Sequence, residues 1–279
     1  MVTGLDHVAV VVSDLDAAVA GYTALLGREA SHADGDGARR AWFRLANMSL
    51  EVISPDGAGP AGDRVRARLD SHGEGMWALA FAVDDLEAAR RLMKRRGVTA
   101  SEPAPLASPD GGRLASRLDP EATGGVQSIL VGPGAGPPAP STTLGDENAV
   151  VSSLDHVVVS TKNPDRAAAI YGARLGLDLR LDRSNPDWGQ RLMFFRCGDL
   201  VVEIAANLKD GVSDAPDGFY GLSWRVPDIR AARERLAAAG LNVSDVRTGR
   251  RRGTEVFTVR DAPGGVPTLV ICVEGASEV

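Results

Sequence analysis

The chain has 279 residues and a formal net charge of −6, with 44% apolar, 24% charged and 5% aromatic residues. That length predicts about two domains, each large enough for its own core, and the composition argues against disordered and fibrous classes. The acidic balance lacks the footprint of a nucleic-acid binder, and no apolar run approaches the ~18 residues of a membrane span.

The chain opens Met1-Val2-Thr3-Gly4-Leu5-Asp6-His7 and runs directly into the strand-sized apolar Val8–Val12. With no basic region ahead of that run, a cytoplasmic protein without a signal peptide is expected. Cys197 and Cys272 form no metal-ligand spacing and are expected to be free thiols. From Asp14 the apolar spacing is helical, with Asp14 placed to cap the first turn and Gly27 to end the last. Alternating strands follow around Ala41–Arg44 and Ser49–Ile53. The same order restarts at Ala78–Val83, with a helix opened by Asp84-Asp85 and stopped at Gly97. The Gly- and Pro-rich stretch 132–149 can continue neither a helix nor a central strand and reads as a linker. Beyond it, Leu154-Asp155-His156-Val157-Val158-Val159 repeats Leu5-Asp6-His7-Val8-Ala9-Val10 at an offset of 149. That offset also carries Tyr22, Leu26 and Gly27 onto Tyr171, Leu175 and Gly176. A fourth start comes at Leu222–Val226, with a helix opened by Asp228 and closed at Gly240.

A unit of strand, helix and three short strands therefore occurs four times: A (4–56), B (75–132), C (153–207) and D (218–274). The trailing strands are too closely spaced for helical crossovers, which predicts an α+β fold of largely antiparallel, mixed sheets. Two tandem domains are expected, 1–131 and 150–279, joined by the linker.

The fourfold order, the Leu-Asp-His opening, and Leu50-Glu51-Val52 and Val202-Glu203-Ile204 in the last strands of A and C resemble the vicinal oxygen chelate superfamily. Turns at Asp119–Val126 and Asp261–Val266 carry the resemblance into B and D. It spans the chain outside the linker and implies four βαβββ modules in two glyoxalase-like domains, with paired modules curling into cups. Glyoxalases, bleomycin-resistance proteins and extradiol dioxygenases are of this type.

In metal-using relatives each module offers one ligand on its first strand and one on its last. Carried over by position, A supplies His7 and Glu51, and C supplies His156 and Glu203. B and D have Ala78, Ile129, Gly221 and Leu269 there instead. The resemblance thus implies a partial site, with those four His and Glu residues as ligands of one divalent ion (Zn²⁺, Ni²⁺, Mn²⁺ or Fe²⁺) or as acid–base groups. Glu51 and Glu203 are the catalytic candidates. Pairing A with B and C with D, or A with D and B with C, leaves one His–Glu couple per cup; only A against C gathers all four. A ring-cleaving dioxygenase would draw its ligands from the positions of His156, Gly221 and Leu269, so that activity is not expected.

The expectation is a lyase- or isomerase-type enzyme acting on a small oxygenated substrate. The alternative is a metal-free protein that sequesters a small molecule, as bleomycin-resistance proteins do. Trp77 and Tyr220, beside the lost ligand positions, are the substrate-binding candidates, while Trp42, Trp188, Trp224 and Phe219 either fill the core or line the cups. Arg250-Arg251-Arg252 reads as a solvated hairpin tip. The expected partner is a small molecule, with neither nucleic acid nor membrane involved, on a monomer or homodimer.

Overall fold

Most of the described helices begin at a capping side chain. Asp14 accepts from the Ala17 amide at 3.0 Å, Asp85 from Ala88 at 2.9 Å, and Asn163 from Arg166 at 3.0 Å. Gly27 ends the first helix in the left-handed region at φ 68°, where a side chain would be strained. The computed structural model describes residues 1–134, 139–185, 187 and 189–273.

The first half of the chain runs β1 (Val2–Val11), α1 (Leu15–Leu26), β2 (Ser31–His32), β3 (Ala38–Arg44) and β4 (Ser49–Pro55). It continues with α2 (Pro60–His72), β5 (Gly75–Val83), α3 (Leu86–Arg95), β6 (Ala104–Pro105), β7 (Leu114–Arg117) and β8 (Gln127–Val131). The second half repeats the plan with β9 (Ser153–Thr161), α4 (Pro164–Ala168), β10 (Asp178–Asn185), β11 (Gln190–Cys197) and β12 (Leu200–Asn207). It closes with β13 (Gly218–Arg225), α5 (Ile229–Ala238), β14 (Arg247–Thr248), β15 (Thr254–Val259) and β16 (Thr268–Val273). In module C a π-helical turn, Ala169–Arg174, carries α4 onward.

The strands form two eight-stranded sheets. One has the order β2-β3-β4-β1-β5-β8-β7-β6, the other β10-β11-β12-β9-β13-β16-β15-β14. Module A is therefore joined to B, and C to D, through their first strands. The trailing strands pair antiparallel, as expected from their short connections, while β9 with β12, β5 with β8 and β13 with β16 are parallel. The fold is the expected α+β arrangement of four βαβββ modules in two tandem domains.

Helix α2 lies in 57–74, which the periodicity left unassigned. Its cap, Gly59, offers no side-chain hydrogen bond, and it buries little beyond Ala61, Gly62 and Val65. Gly62 is required for packing: a Cβ there would lie 1.9 Å from the Gly37 carbonyl oxygen. Among the described residues no helix is long and apolar enough to cross a membrane. Among the described residues Cys197 and Cys272 form no disulfide, and burial pushes the Cys197 thiol up to about 12.

Packing also divides the chain into two compact units. One comprises Met1–Val8, Trp77–Pro137 and His156–Tyr220. Within it Arg96 donates to the Arg174 carbonyl at 2.8 Å, and Arg174 donates to that of Ala122 at 2.5 Å. The other comprises Ala9–Met76, Pro138–Asp155 and Gly221–Val279. Within that unit the Tyr22 hydroxyl donates to Pro263 O at 3.0 Å, and Arg235 donates to the carbonyls of Ala24 and Leu25. The later part of the expected linker is not a loose tether. Arg28 donates to Val151 O at 2.8 Å and Ser141 O at 2.9 Å, and the Glu29 and Leu144 amides bond Thr142 O and Gly27 O. Residues 135–138 lie outside the described set.

Candidate active site

A strand sends alternate side chains to opposite faces, and module C shows the consequence clearly. On one face Val157, Val159, Val202, Ile204, Met193 and Phe195 are all buried to 1% exposure or less. On the other, His156, Val158, Glu203, Val201, Phe194 and Leu192 are all half-buried. Register places them side by side: Val201 lies beside His156, Glu203 beside Val158, and Phe194 opposite Glu203. A bulge between Leu179 and Leu181 turns Leu181, 50% exposed, onto this same face opposite Phe194. The result is a partly open apolar face around an imidazole–carboxylate couple. His156 Nε2 stands 3.7 Å from Glu203 Oε2, with side chains 19% and 15% exposed.

Module A holds the same residue types in a different setting. His7 is fully buried, and its Nδ1 lies 2.6 Å from Asp6 Oδ1. The second Asp6 oxygen accepts from Arg113 Nη1. Burial pushes the Asp6 carboxyl up, but the hydrogen bond and charge of His7, reinforced by Arg113, outweigh it and hold Asp6 below the usual carboxylate range. Glu51 is buried with Arg40, whose Nε lies 3.2 Å from Glu51 Oε1. Arg40 is fixed in turn by donating to Gly35 O at 3.0 Å and Ala38 O at 3.4 Å. Trp42, opposite Glu51 in register, is also buried, as are Ser49 and Ile53 on the same face.

Register shows that Ile129 and Leu269 occupy positions equivalent to that of Glu203. Glu203 pairs with the residue two beyond His156, Ile129 with the residue two beyond Ala78, and Leu269 with the residue two beyond Gly221. Those modules therefore bring apolar groups where A and C bring His and Glu. Among the described residues no three His, Cys, Asp or Glu side chains form a group that could hold a metal ion. His156 and Glu203 supply two donors, one short of the three protein ligands of an ordinary catalytic zinc site.

Trp77 is half-buried and Tyr220 is 63% exposed. Each is the immediate neighbour of a lost ligand position, so strand alternation turns it to the opposite face from Ala78 or Gly221. Trp42 and Trp224 are core residues, Phe219 is half-buried, and Trp188 lies outside the described residues. Arg250, Arg251 and Arg252 are exposed at the turn before β15. The contributions of Arg40, Asp6 and Arg113 were not anticipated. Arg40 was detectable in principle, because the alternation Arg40-Trp42 on one strand matches Glu51-Ile53 on the next once the hairpin register is known.

The chain matches the model of the Glyoxalase/Bleomycin resistance protein/Dioxygenase superfamily over residues 6–115 and 155–258. It is 29% identical over 101 residues to the ethylmalonyl-CoA/methylmalonyl-CoA epimerase of Cereibacter sphaeroides, covering 34% of this chain and 75% of the relative. Among solved structures, the Mn(II)-bound glyoxalase from Novosphingobium aromaticivorans superimposes with a TM-score of 0.71 at 19% identity, covering 97% of this chain and 82% of that one. A triple mutant of 4-hydroxymandelate synthase from Streptomyces coelicolor superimposes with a TM-score of 0.73 at 18% identity, covering 100% and 95%. At these identities the two structures speak for the fold.

Proposed function

The chain belongs to the Glyoxalase/Bleomycin resistance protein/Dioxygenase superfamily, and from that membership we propose that it is an isomerase- or lyase-type enzyme whose chemistry resides in module C. The substrate is a small oxygenated compound with a largely apolar body, seated against Phe194, Leu192 and Val158. Glu203 removes a proton from carbon adjacent to a carbonyl. The electron pair of that C–H bond moves to the carbonyl oxygen, where an N–H of His156 stabilises the resulting enolate. Return of the proton to carbon completes an isomerisation; loss of a β-substituent instead completes an elimination. The observation that carries this reading is the His156–Glu203 couple on a partly open apolar face. The similarity to an epimerase supports the isomerase branch.

A divalent ion at this couple would polarise a carbonyl oxygen, and His156 and Glu203 are the residues that would hold it. Two donors do not fit a tightly held ion, and no step above requires one. Glu51 and His7, candidates on equal terms in the sequence, take secondary roles: Glu51 is engaged by Arg40 and His7 by Asp6.

Deuterium incorporation from D₂O into a panel of 2-substituted acyl thioesters and α-hydroxycarbonyl compounds, followed by NMR, tests the proposal. Glu203→Gln and His156→Gln are each expected to slow exchange about 10²–10⁴-fold, with circular dichroism unchanged. Glu51→Gln is expected to leave the rate within about tenfold. Exchange undiminished in Glu203→Gln would exclude the mechanism.

The want of a three-donor group among the described residues favours one second reading, sequestration of an apolar small molecule without catalysis. Under that reading Glu203→Gln retains most of the ligand affinity and no wild-type exchange is seen.

A further inference from the structure

The face of module C that carries His156 and Glu203 extends onto the edge strand β10, and its charges are unevenly distributed. Pairing runs Arg183 opposite Leu192 and Leu192 opposite Ala205, with Ala205 beside Ser160. This row lies next to the one containing Leu181, Phe194, Glu203 and Val158. Arg183 is exposed, and its own row contains no carboxylate. At ~4.8 Å between strands and ~3.4 Å per residue, its Cα lies roughly 12 Å from that of Glu203. Arg196, also on this face, stands opposite Asp178 in register and donates through Nε to the Gly198 carbonyl at 3.1 Å, while Asp178 itself pairs with Arg180 at 2.9 Å. Among the described residues of β10, β11, β12 and β9, Arg183 is an arginine of this face with no carboxylate across from it in register.

We propose that Arg183 is a specificity-determining residue, selecting substrates whose apolar body ends in an anionic group, a carboxylate or phosphate, about 10 Å from the reacting carbon. The proposal rests on the reading of module C as the active face and deepens it by naming the substrate class. The apolar middle of the face, Leu181, Leu192 and Phe194, holds the body, His156 and Glu203 meet the reacting end, and the guanidinium of Arg183 pairs with the far end. Module A contrasts instructively: its arginine, Arg40, sits one strand further in, in the register position of Leu192, where it meets Glu51 instead of solvent.

The test uses the full chain and two probes of nearly equal shape, 4-phenylbutanoate and its neutral counterpart 4-phenylbutanamide. Affinities are measured by titration while the His156 ring resonances report occupancy of the face. The carboxylate is expected to bind about fivefold more tightly than the amide, the size of an exposed charge pair, and added salt should erase the difference. Arg183→Gln should bring the ratio to about one with amide affinity unchanged, and Arg196→Gln should keep it near five. If His156 responds equally to both probes, or if the ratio survives in Arg183→Gln, anion selection by Arg183 is overturned while the active face stands. If neither probe moves the His156 resonances, the active face fails as well.

Discussion

Modules A and C share a strand order, a Leu-Asp-His opening and a glutamate on the last strand, yet their histidine-bearing faces differ in kind. The decisive register position is the one opposite the residue two beyond the glutamate. In module A it holds Arg40, opposite Ile53; in module C it holds Leu192, opposite Ala205. Arg40 reaches Glu51 and closes a buried ion pair. Leu192 cannot, and Glu203 stands near His156 on a partly exposed face. One difference in a duplicated strand separates a carboxylate buried against a guanidinium from one on a partly exposed face. The buried version carries a constraint of its own, since both charges have left water and each depends on the other.

The largest expected effect comes from moving the arginine. Leu192→Arg places in module C the group that engages Glu51 in module A, and it is expected to cut proton exchange about 10²-fold, approaching the loss in Glu203→Gln. Because Leu192 is half-buried, the variant should stay folded, as circular dichroism will report. Full exchange in Leu192→Arg would break the comparison at its centre. The reciprocal change, Arg40→Leu, leaves Glu51 buried without its guanidinium and is expected to cost about 3–5 kcal/mol in urea denaturation. Arg40→Met combined with Glu51→Met should recover most of that loss, whereas Glu203→Gln should change stability by less than about 1 kcal/mol.

A smaller effect sharpens the contrast through pH. Asp6 lies below its ordinary value of 3.8 when folded, so the unfolded chain binds more protons around and below that pH. The stability Asp6 contributes is therefore present above pH 3.8 and lost as pH falls through its folded value. Asp6→Asn should be less stable than wild type by about 1–2 kcal/mol at pH 7, with the two urea midpoints converging as pH drops below 3.8. Parallel stability curves down to the acid limit would remove Asp6 from the support of His7.

Much of this was legible in the residues. The repeat of Leu5-Asp6-His7 as Leu154-Asp155-His156 exposed the duplication, and the caps Asp14, Asp85 and Asp228 marked helices that the structure contains. The apolar residues that modules B and D carry at the positions of His and Glu could be found by counting, and strand register gives the same equivalences. Helix α2 escaped because it buries only one narrow stripe and lacks a capping side chain. The hold of Arg28 on 141–151 escaped because it joins residues more than a hundred positions apart. Arg113 escaped for the same reason, and Arg40 because nothing local in a strand says which charge will lie across from it.

By itself the sequence determined the module count, the class of fold, the positions where two histidines and two glutamates survive, and the family. Periodicity, capping and repetition are short-range properties, written within a few residues of where they act. Only the tertiary structure decided which modules share a sheet, which glutamate is sealed and which is partly open. It also decided that a guanidinium answers Glu51 while an imidazole faces Glu203. Those outcomes depend on cross-strand register and on the water each face excludes, and both exist only once distant segments have been brought together.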